Sequence, residues 1–230
     1  MQPADVRRAL AVASAAWLAA CAPSPTVVAP PSLPSGFPEA VYRRDAAAGA
    51  AVFGVDPAAS RVVVTVRRSG SLAHLGHDHV VASRDVEGYV ENGAGKADLY
   101  VPLDRLVVDE PALRDEAGLD GAPSPADVDG TRHNMLHKVL HTERNAFATI
   151  AVRRIAADRF EVAIILNGVT RTQEVSIMVS ADAAALDARG HLALAQSDFG
   201  IEPFAILGGA IAVADRIDLA FDIHARRVTR

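Results

Sequence analysis

Three histidines in one short segment are the side chains of this sequence best suited to chemistry. His74, His77 and His79 all lie within residues 72–79. Imidazole binds zinc, copper and iron, and the adaptable backbone of a loop lets three rings converge on one metal ion. Neutral imidazoles also form hydrogen bonds, so His77 and His79 are equally suited to the polar end of a bound molecule, such as a quinone carbonyl. The sequence leaves both roles open.

A second histidine cluster has helical spacing. His133, His137 and His141 are four residues apart, which places them along one side of a helix, beside its apolar face. Two histidines at this spacing form half of a metal site, which a ligand from the loop would complete. The candidate ligands for a metal ion or a haem are His74, His77, His79, His133 and His137. Exposed histidines beside a core helix are the alternative interpretation.

Motifs of common enzyme classes are absent from the sequence. It has no Gly-x-Ser-x-Gly elbow, no glycine-rich phosphate loop and no His-Glu-x-x-His pair. The single cysteine, Cys21, excludes a disulfide framework and a thiolate-rich metal centre. We therefore expect a protein that is not an enzyme and requires no cofactor.

The charge balance argues against nucleic acid as a partner. The 230 residues include 23 Lys and Arg against 28 Asp and Glu, which gives a net charge of −5. A basic patch of the kind that binds phosphate backbones is therefore not expected. Seven carboxylates and one arginine, Arg114, lie between Asp109 and Asp129. We interpret this acidic stretch as a solvated lid.

The first 38 residues have the pattern of an export and anchoring segment. Arg7 and Arg8 precede an apolar stretch, and the sequence LAAC, which ends at Cys21, resembles the lipobox of bacterial lipoproteins. We predict a signal peptide over residues 1–20, acylation of Cys21 and a proline-rich tether over residues 21–38. The expected location is the periplasm, with the lipid anchor in the inner leaflet of the outer membrane. A secretory peptide cut elsewhere, which leaves a free thiol, is the alternative.

Beyond the tether, apolar residues recur at every second position, which indicates strands with one buried face. Strands are predicted over residues 51–55, 61–67, 80–91, 96–103, 147–155, 160–166, 175–179, 191–196 and 217–223. Asn167-Gly168 predicts a tight hairpin turn. A helix capped by Thr131 is predicted over residues 131–142, where it would plug or flank the sheet. This number of short strands favours a sandwich or a barrel, and a closed barrel has no exposed edge.

The order and spacing of several short motifs resemble the YceI-like family of bacterial periplasmic proteins. The matching motifs are VDPAAS (55–60), TRHNML (131–136), FATI (147–150), LNGVT (166–170) and QSDFGI (196–201). The resemblance implies an all-β domain over residues 39–230, a lipocalin-like antiparallel β-barrel of about eight strands with one short helix in a long connection. It also implies an apolar interior that holds an isoprenoid chain, with the polar head near the mouth. The cluster at residues 72–79 departs from the commoner pattern and indicates a histidine-bearing branch.

The residue types agree with such an interior. Aromatic residues make up 5% of the chain, so a core of smaller side chains must either close tightly or leave a cavity. A barrel of eight strands is wide enough to hold one slender ligand. The residues predicted to contact the apolar tail are Val62, Val64, Val66, Ile164, Leu166, Leu219 and Phe221. His77 and His79 are predicted to meet its head group.

Three functions remain open at this point. The first is a lipid-anchored periplasmic carrier, buffer or sensor whose partners are the membrane and a small hydrophobic ligand, such as an isoprenoid lipid or a quinone. The second is a redox protein that binds metal or haem through its histidines. The third is a structural envelope lipoprotein with a filled barrel, which would capture a protein partner through the acidic stretch.

Overall fold

The computed structural model of the chain describes residues 33–229. The predicted signal peptide, Cys21 and all of the predicted tether before Leu33 lie outside the described residues. Within the described part, twelve strands form one antiparallel sheet. The strands are β1 Val52–Val55, β2 Arg61–Ser69, β3 His79–Ser83, β4 Glu87–Glu91, β5 Lys96–Pro102, β6 Val107–Val108, β7 Phe147–Arg154, β8 Arg159–Leu166, β9 Val169–Ala181, β10 Ala185–Ala195, β11 Ala205–Ile206 and β12 Ile211–Arg227.

Helices are few and short. They are α1 Glu39–Ala47, α2 Pro111–Glu116 and α3 Pro125–Asn134, and α3 continues into one π-helical segment, Met135–Val139. Short 3₁₀ turns occupy Ala73–Leu75, Leu103–Arg105, Gln196–Phe199 and Leu207–Gly209. None of the helices in residues 33–229 has the length and apolar character needed to cross a bilayer.

Closure of the sheet depends on β12. One edge of β12 pairs with the whole of β10. The other edge pairs with β2 through residues 217–222 and with β1 through residues 225–227. The ring β1-β4-β5-β7-β8-β9-β10-β12 is therefore complete with eight strands, and β2, β3 and β6 extend the wall at one end. The predicted lipocalin-like antiparallel barrel is confirmed.

The Asn167-Gly168 hairpin forms as predicted. Leu166 pairs with Val169, and the two turn residues have φ values of +51° and +74°. This mirror-image turn matches the twist of the flanking strands, which explains the Asn-Gly pair. The predicted strand over residues 80–91 is in fact two strands, β3 and β4, and β9, β10 and β12 are longer than predicted.

Helix α1 packs at the end of the barrel where β4 leads into β5, here called the α1 end. Tyr42 is 1% exposed, its hydroxyl donates to Asp98 Oδ2 at 2.7 Å, and its ring stacks on Tyr89 at 5.4 Å between centroids. Phe37, within the predicted tether, packs edge-on against Tyr100 at 4.9 Å.

The long connection between β6 and β7 differs from the prediction. It contains two helices rather than one, and α3 begins six residues before Thr131. Ser124 is the N-cap: its side chain accepts from the Asp127 amide, and the Asp127 side chain accepts from the Ser124 amide. This capping box is followed by Pro125 at the first helical position, where its missing N–H is not needed. The start signals were therefore in the sequence, inside the stretch interpreted as a solvated lid.

Replacing the cap tests where the helix begins. We expect Ser124→Ala to destabilise α3 by about 0.5–2 kcal/mol, because the Asp127 amide loses its acceptor. Hydrogen exchange at the amides of Asp127 and Val128 measures the change. Thr131→Ala is the control, since Thr131 lies inside the helix. Faster exchange at these amides in Thr131→Ala than in Ser124→Ala would contradict this assignment of the cap.

Candidate functional site

A cavity of about 440 Å³ runs along the inside of the barrel. This volume lies in the range of about 300–1,000 Å³ that is usual for small-molecule sites. Its wall extends from Asn92 and Lys96 at the α1 end to His77 and Phe204 at the opposite end. That opposite end, covered by α3 and its π-helical continuation, is here called the α3 end. The side chains between the two ends are almost all aliphatic.

Strand alternation explains this lining. Val62, Val64 and Val66 of β2 all face the cavity, and their partners on β3 are Ser83, Val81 and His79, which face it too. On β8, every second residue faces inward, and Ile165 between them is 43% exposed. The structure places all nine side chains predicted to contact ligand on the cavity wall: Val62, Val64, Val66, His77, His79, Ile164, Leu166, Leu219 and Phe221. Their role in binding stays a prediction.

Small residues on the strands leave room for the cavity. Gly190 pairs with Phe221 across β10 and β12. A Cβ atom at Gly190 would lie 2.6 Å from Cζ of Phe221, so a larger residue at this position would displace the ring. Ala148 and Ala188 also line the interior. The shortage of large side chains in the sequence therefore produces a cavity rather than a tightly closed core.

Polar residues line both ends of the cavity, among them His77, His79 and Thr131 at the α3 end, where a helix adds an apolar cover. At the α1 end, Lys96 Nζ lies 2.8 Å from Glu91 Oε2, beside Asn92 and Arg154. At the α3 end, the apolar side chains of Met135, Val139 and Leu140 face the interior. The helix thus covers one end of the barrel, as its apolar face predicted.

A buried polar network lies behind the wall at the α3 end. His79 Nδ1 lies 2.6 Å from Asp109 Oδ2. Asp109 Oδ1 accepts from Arg114 Nη1 at 2.7 Å and from the Val80 amide at 3.1 Å. The side chain of Asp109 is fully buried, and Arg114 also donates to the carbonyl of Asp78 at 2.8 Å. The network therefore connects α2, through Arg114, to the loop that carries the histidines.

The solvated-lid interpretation is wrong at Asp109 and Arg114. Arg114 is 4% exposed, and its second Nη atom donates to the carbonyls of Asp120 and Gly121 at 3.0 and 2.9 Å. Burial on its own raises the pKa of Asp109, but hydrogen bonds from His79 and Arg114 outweigh it, and the pKa lies below its ordinary value of 3.8. Arg114 is the one cation of this acidic stretch, and that was the available signal in the sequence for a buried ion pair.

The structure does not bring the five candidate metal ligands together. His74 is exposed and away from the cavity wall. The rings of His77 and His79 are 6.4 Å apart, and His133 and His137 are exposed on the helix, 4.6 Å apart. Among the described residues, no group of three or more His, Cys, Asp or Glu side chains is arranged to hold a metal ion.

Asp78 connects the 72–79 loop to the end of β2. Its carboxylate accepts from Arg67 Nη1 at 3.1 Å and from the Arg68 amide at 2.8 Å. Arg68 in turn donates to the carbonyl of Gly76 at 2.9 Å. These contacts hold the 72–79 loop against the end of β2, and they fix the direction in which the following residue, His79, enters the barrel.

Removing Arg114 tests the importance of the network. We expect Arg114→Met to lower the free energy of unfolding by about 3–5 kcal/mol, because the Asp109 charge stays buried without its main partner. Urea denaturation measures the loss. Arg84→Ala, which removes the surface pair with Glu110, is the control and is expected to cost less than about 1 kcal/mol. Equal losses of unfolding free energy in Arg114→Met and Arg84→Ala would contradict the assignment of Arg114 as the partner of a buried Asp109 charge.

The depressed pKa of Asp109 predicts a dependence on pH. A carboxyl whose pKa is lower in the folded than in the unfolded chain stabilises the fold above its unfolded pKa, and this contribution is lost as the pH falls through its folded pKa. We therefore expect the difference in unfolding free energy between the natural chain and Asp109→Asn to shrink as the pH falls below 3.8. Denaturation series between pH 6 and pH 3 measure it. A difference that stays constant would show that ionisation of Asp109 contributes nothing.

Comparison with protein-family models and with curated protein sequences gives no match. Solved structures do match. The chain is similar to a polyisoprenoid-binding domain from Saccharophagus degradans implicated in plant cell wall breakdown, with a TM-score of 0.54 and 14% identity over 78% of this chain and 99% of that one. It is also similar to Burkholderia cenocepacia BcnA, with a TM-score of 0.50 and 14% identity over 74% and 98% of the two chains.

At this level of identity the similarities concern the fold. Both matched chains are covered almost completely, so the whole barrel, rather than a shared fragment, is common to the three proteins. The antiparallel barrel that the resemblance to the YceI-like family implied is therefore the fold of this chain.

Proposed function

We propose that this chain is a member of the YceI-like family that binds one long apolar or amphiphilic molecule, an isoprenoid lipid or a quinone, inside its barrel as a carrier, buffer or sensor. The observation that carries the proposal is the continuous apolar cavity of about 440 Å³. The name of the Saccharophagus degradans domain, which is polyisoprenoid-binding, supports the same ligand class. The proposed function is binding and involves no catalytic step.

The energetics favour a chain-like ligand. Each buried methylene group contributes about 0.8 kcal/mol, so ten carbons in the cavity provide on the order of 8 kcal/mol before the costs of association. An aliphatic wall offers few hydrogen bonds, so a compact polar ligand would lose its contacts with water without replacement. The cavity also speaks against the structural alternative, which needs a filled barrel.

The proposed location is the periplasm, with the protein anchored by an acylated Cys21 in the inner leaflet of the outer membrane. The support is the lipobox-like sequence and the run of prolines that follows it. Because Phe37 packs on the barrel and its amide closes a turn with the carbonyl of Pro34, the part of the predicted tether left to extend is residues 22–33, which would let the barrel lie up to about 37 Å from its anchor. Metabolic labelling with a fatty acid, compared between the natural chain and Cys21→Ala, tests the anchor.

Neighbouring isoleucines on β8 give a matched test of the cavity. Ile164 faces the interior and is 7% exposed, whereas Ile165 faces outward and is 43% exposed. We expect Ile164→Trp to weaken binding of a long prenyl alcohol at least tenfold, because the larger ring takes the space of two or more methylene groups. Ile165→Trp is expected to leave the affinity unchanged. Titration calorimetry on the delipidated variants measures both.

The natural ligand is identified by purification from the native host. We expect organic extraction followed by mass spectrometry to find one isoprenoid or comparably apolar molecule per chain, at a lower ratio in Ile164→Trp than in Ile165→Trp. Consistent absence of stoichiometric lipid, together with equal affinities of the two tryptophan variants, would overturn the proposal.

A further inference from the structure

His79 is the polar side chain of the cavity wall whose orientation is best determined. It opens β3 and pairs with Val66 of β2, so its side chain points to the same face as the inward valines. Only 15% of the side chain is exposed. One ring nitrogen, Nδ1, points away from the cavity toward Asp109. The ring is therefore held between a buried carboxylate on one side and the ligand space on the other.

The proton on the ring is fixed by Asp109. The distance of 2.6 Å from His79 Nδ1 to Asp109 Oδ2 is that of a strong hydrogen bond. Arg114 occupies the other carboxylate oxygen, and its charge keeps Asp109 ionised. An ionised carboxylate only accepts hydrogen bonds, so Nδ1 must be the donor. The depressed pKa of Asp109 agrees with this ionisation.

The second ring nitrogen, Nε2, is then a hydrogen-bond acceptor. With the proton on Nδ1, Nε2 of the neutral imidazole carries a lone pair and acts as an acceptor. It makes no hydrogen bond with any residue in the range 33–229. Arg114 is the permanently charged partner of Asp109, 2.7 Å away, so His79 need only donate its Nδ1 proton to complete the network. The wall thus presents one oriented acceptor near the α3 end.

The ring of His77, unlike that of His79, is not oriented by a hydrogen bond to a buried side chain. Its ring lies 6.4 Å from that of His79, and the side chain belongs to an exposed residue. No residue in the described part of the chain fixes the position of its proton. A hydrogen bond from His77 to a ligand therefore competes with water, and His79 is the histidine able to discriminate between head groups.

We propose that Nε2 of His79 selects ligands whose polar end donates a hydrogen bond, so that the preferred molecule is an apolar chain ending in a hydroxyl, such as a prenyl alcohol or a hydroquinone, rather than a carbonyl, ether or ester. The proposal rests on the function proposed above and names the class of head group at the same site. In the sequence analysis above, His79 was considered as a partner for a quinone carbonyl. The proposal reverses this role, because a carbonyl has no proton to donate to Nε2. The carbonyl form would leave the Nε2 lone pair unpaired.

A matched pair of ligands tests the proposal. The full-length chain is delipidated and titrated at pH 8, where an ordinary imidazole is neutral, with a twenty-carbon prenyl alcohol and with its methyl ether. The two share their tail and differ in the hydroxyl proton. We expect the alcohol to bind about three- to tenfold more tightly, the effect of one net hydrogen bond. Equal affinities, or tighter binding of the ether, would overturn the selection by His79.

Variants assign the preference to one atom. His79→Phe is expected to remove the preference while the ether still binds, because the tail contacts are unchanged. His74→Phe, in the same loop but away from the cavity wall, is expected to keep it. Asp109→Asn offers an amide that donates to Nδ1, which moves the ring proton to Nε2 and is expected to abolish the preference for the alcohol. If Asp109→Asn does not fold, the comparison of His79→Phe with His74→Phe still shows whether the preference for the alcohol depends on His79.

The position of the proton is also measurable without any ligand. Nitrogen-15 NMR distinguishes a protonated from an unprotonated ring nitrogen, and we expect Nδ1 of His79 to carry the proton. A proton on Nε2 would overturn the proposal even if the lipid binds. Failure of both the alcohol and the ether to bind would overturn the proposed function and this inference together, whereas binding without discrimination would overturn the inference alone.

Discussion

Hydrogen-bonded closure of the sheet by β12 is the constraint on which the rest of the structure depends. Because β12 pairs with β10 on one edge and with β1 and β2 on the other, the ring has no open side. A closed ring forces alternate residues of every strand into the same interior. Since those residues are mainly valines, leucines, isoleucines and alanines, with few aromatic residues such as Phe160 and Phe221, closure creates a long apolar cavity. The cavity is thus a consequence of topology combined with side-chain size.

The polar network at the α3 end positions the long connection between β6 and β7. The connection between β6 and β7 must return the chain across the barrel, and Arg114 binds carbonyl groups of Asp78, Asp120 and Gly121 as well as the Asp109 carboxylate. A buried ion pair of this kind contributes little net stability compared with apolar packing, but it requires one geometry. That geometry fixes the plane and the proton of His79. The hydrogen bonds that hold the β6–β7 connection against β3 therefore also orient the one ring nitrogen that His79 offers to a ligand.

The histidines illustrate the limit of residue type as a guide to function. Their clustering in the chain left a metal site open as one alternative, yet the fold separates them: His74 lies away from the cavity wall, His133 and His137 are exposed on the helix, and His79 is bound to Asp109. Residues near in sequence diverge when successive side chains of a strand or loop point in different directions. Among the histidines of residues 33–229, His79 is the one that both lines the cavity and is held by a hydrogen bond to a buried side chain.

The sequence by itself determined most of the strands, the hairpin at Asn167-Gly168 and the inward face of β2 and β8, because a period of two and a turn pair are local signals. It also identified nine of the side chains that line the cavity. Only the tertiary structure decided that Asp109 is buried, since its partner on β3 is 30 residues away and the surrounding acidic composition indicated solvent. The same holds for the proton on His79. Local patterns in the sequence indicate on which face of a strand a side chain lies. The residue that it contacts there depends on how segments distant in the sequence pack together.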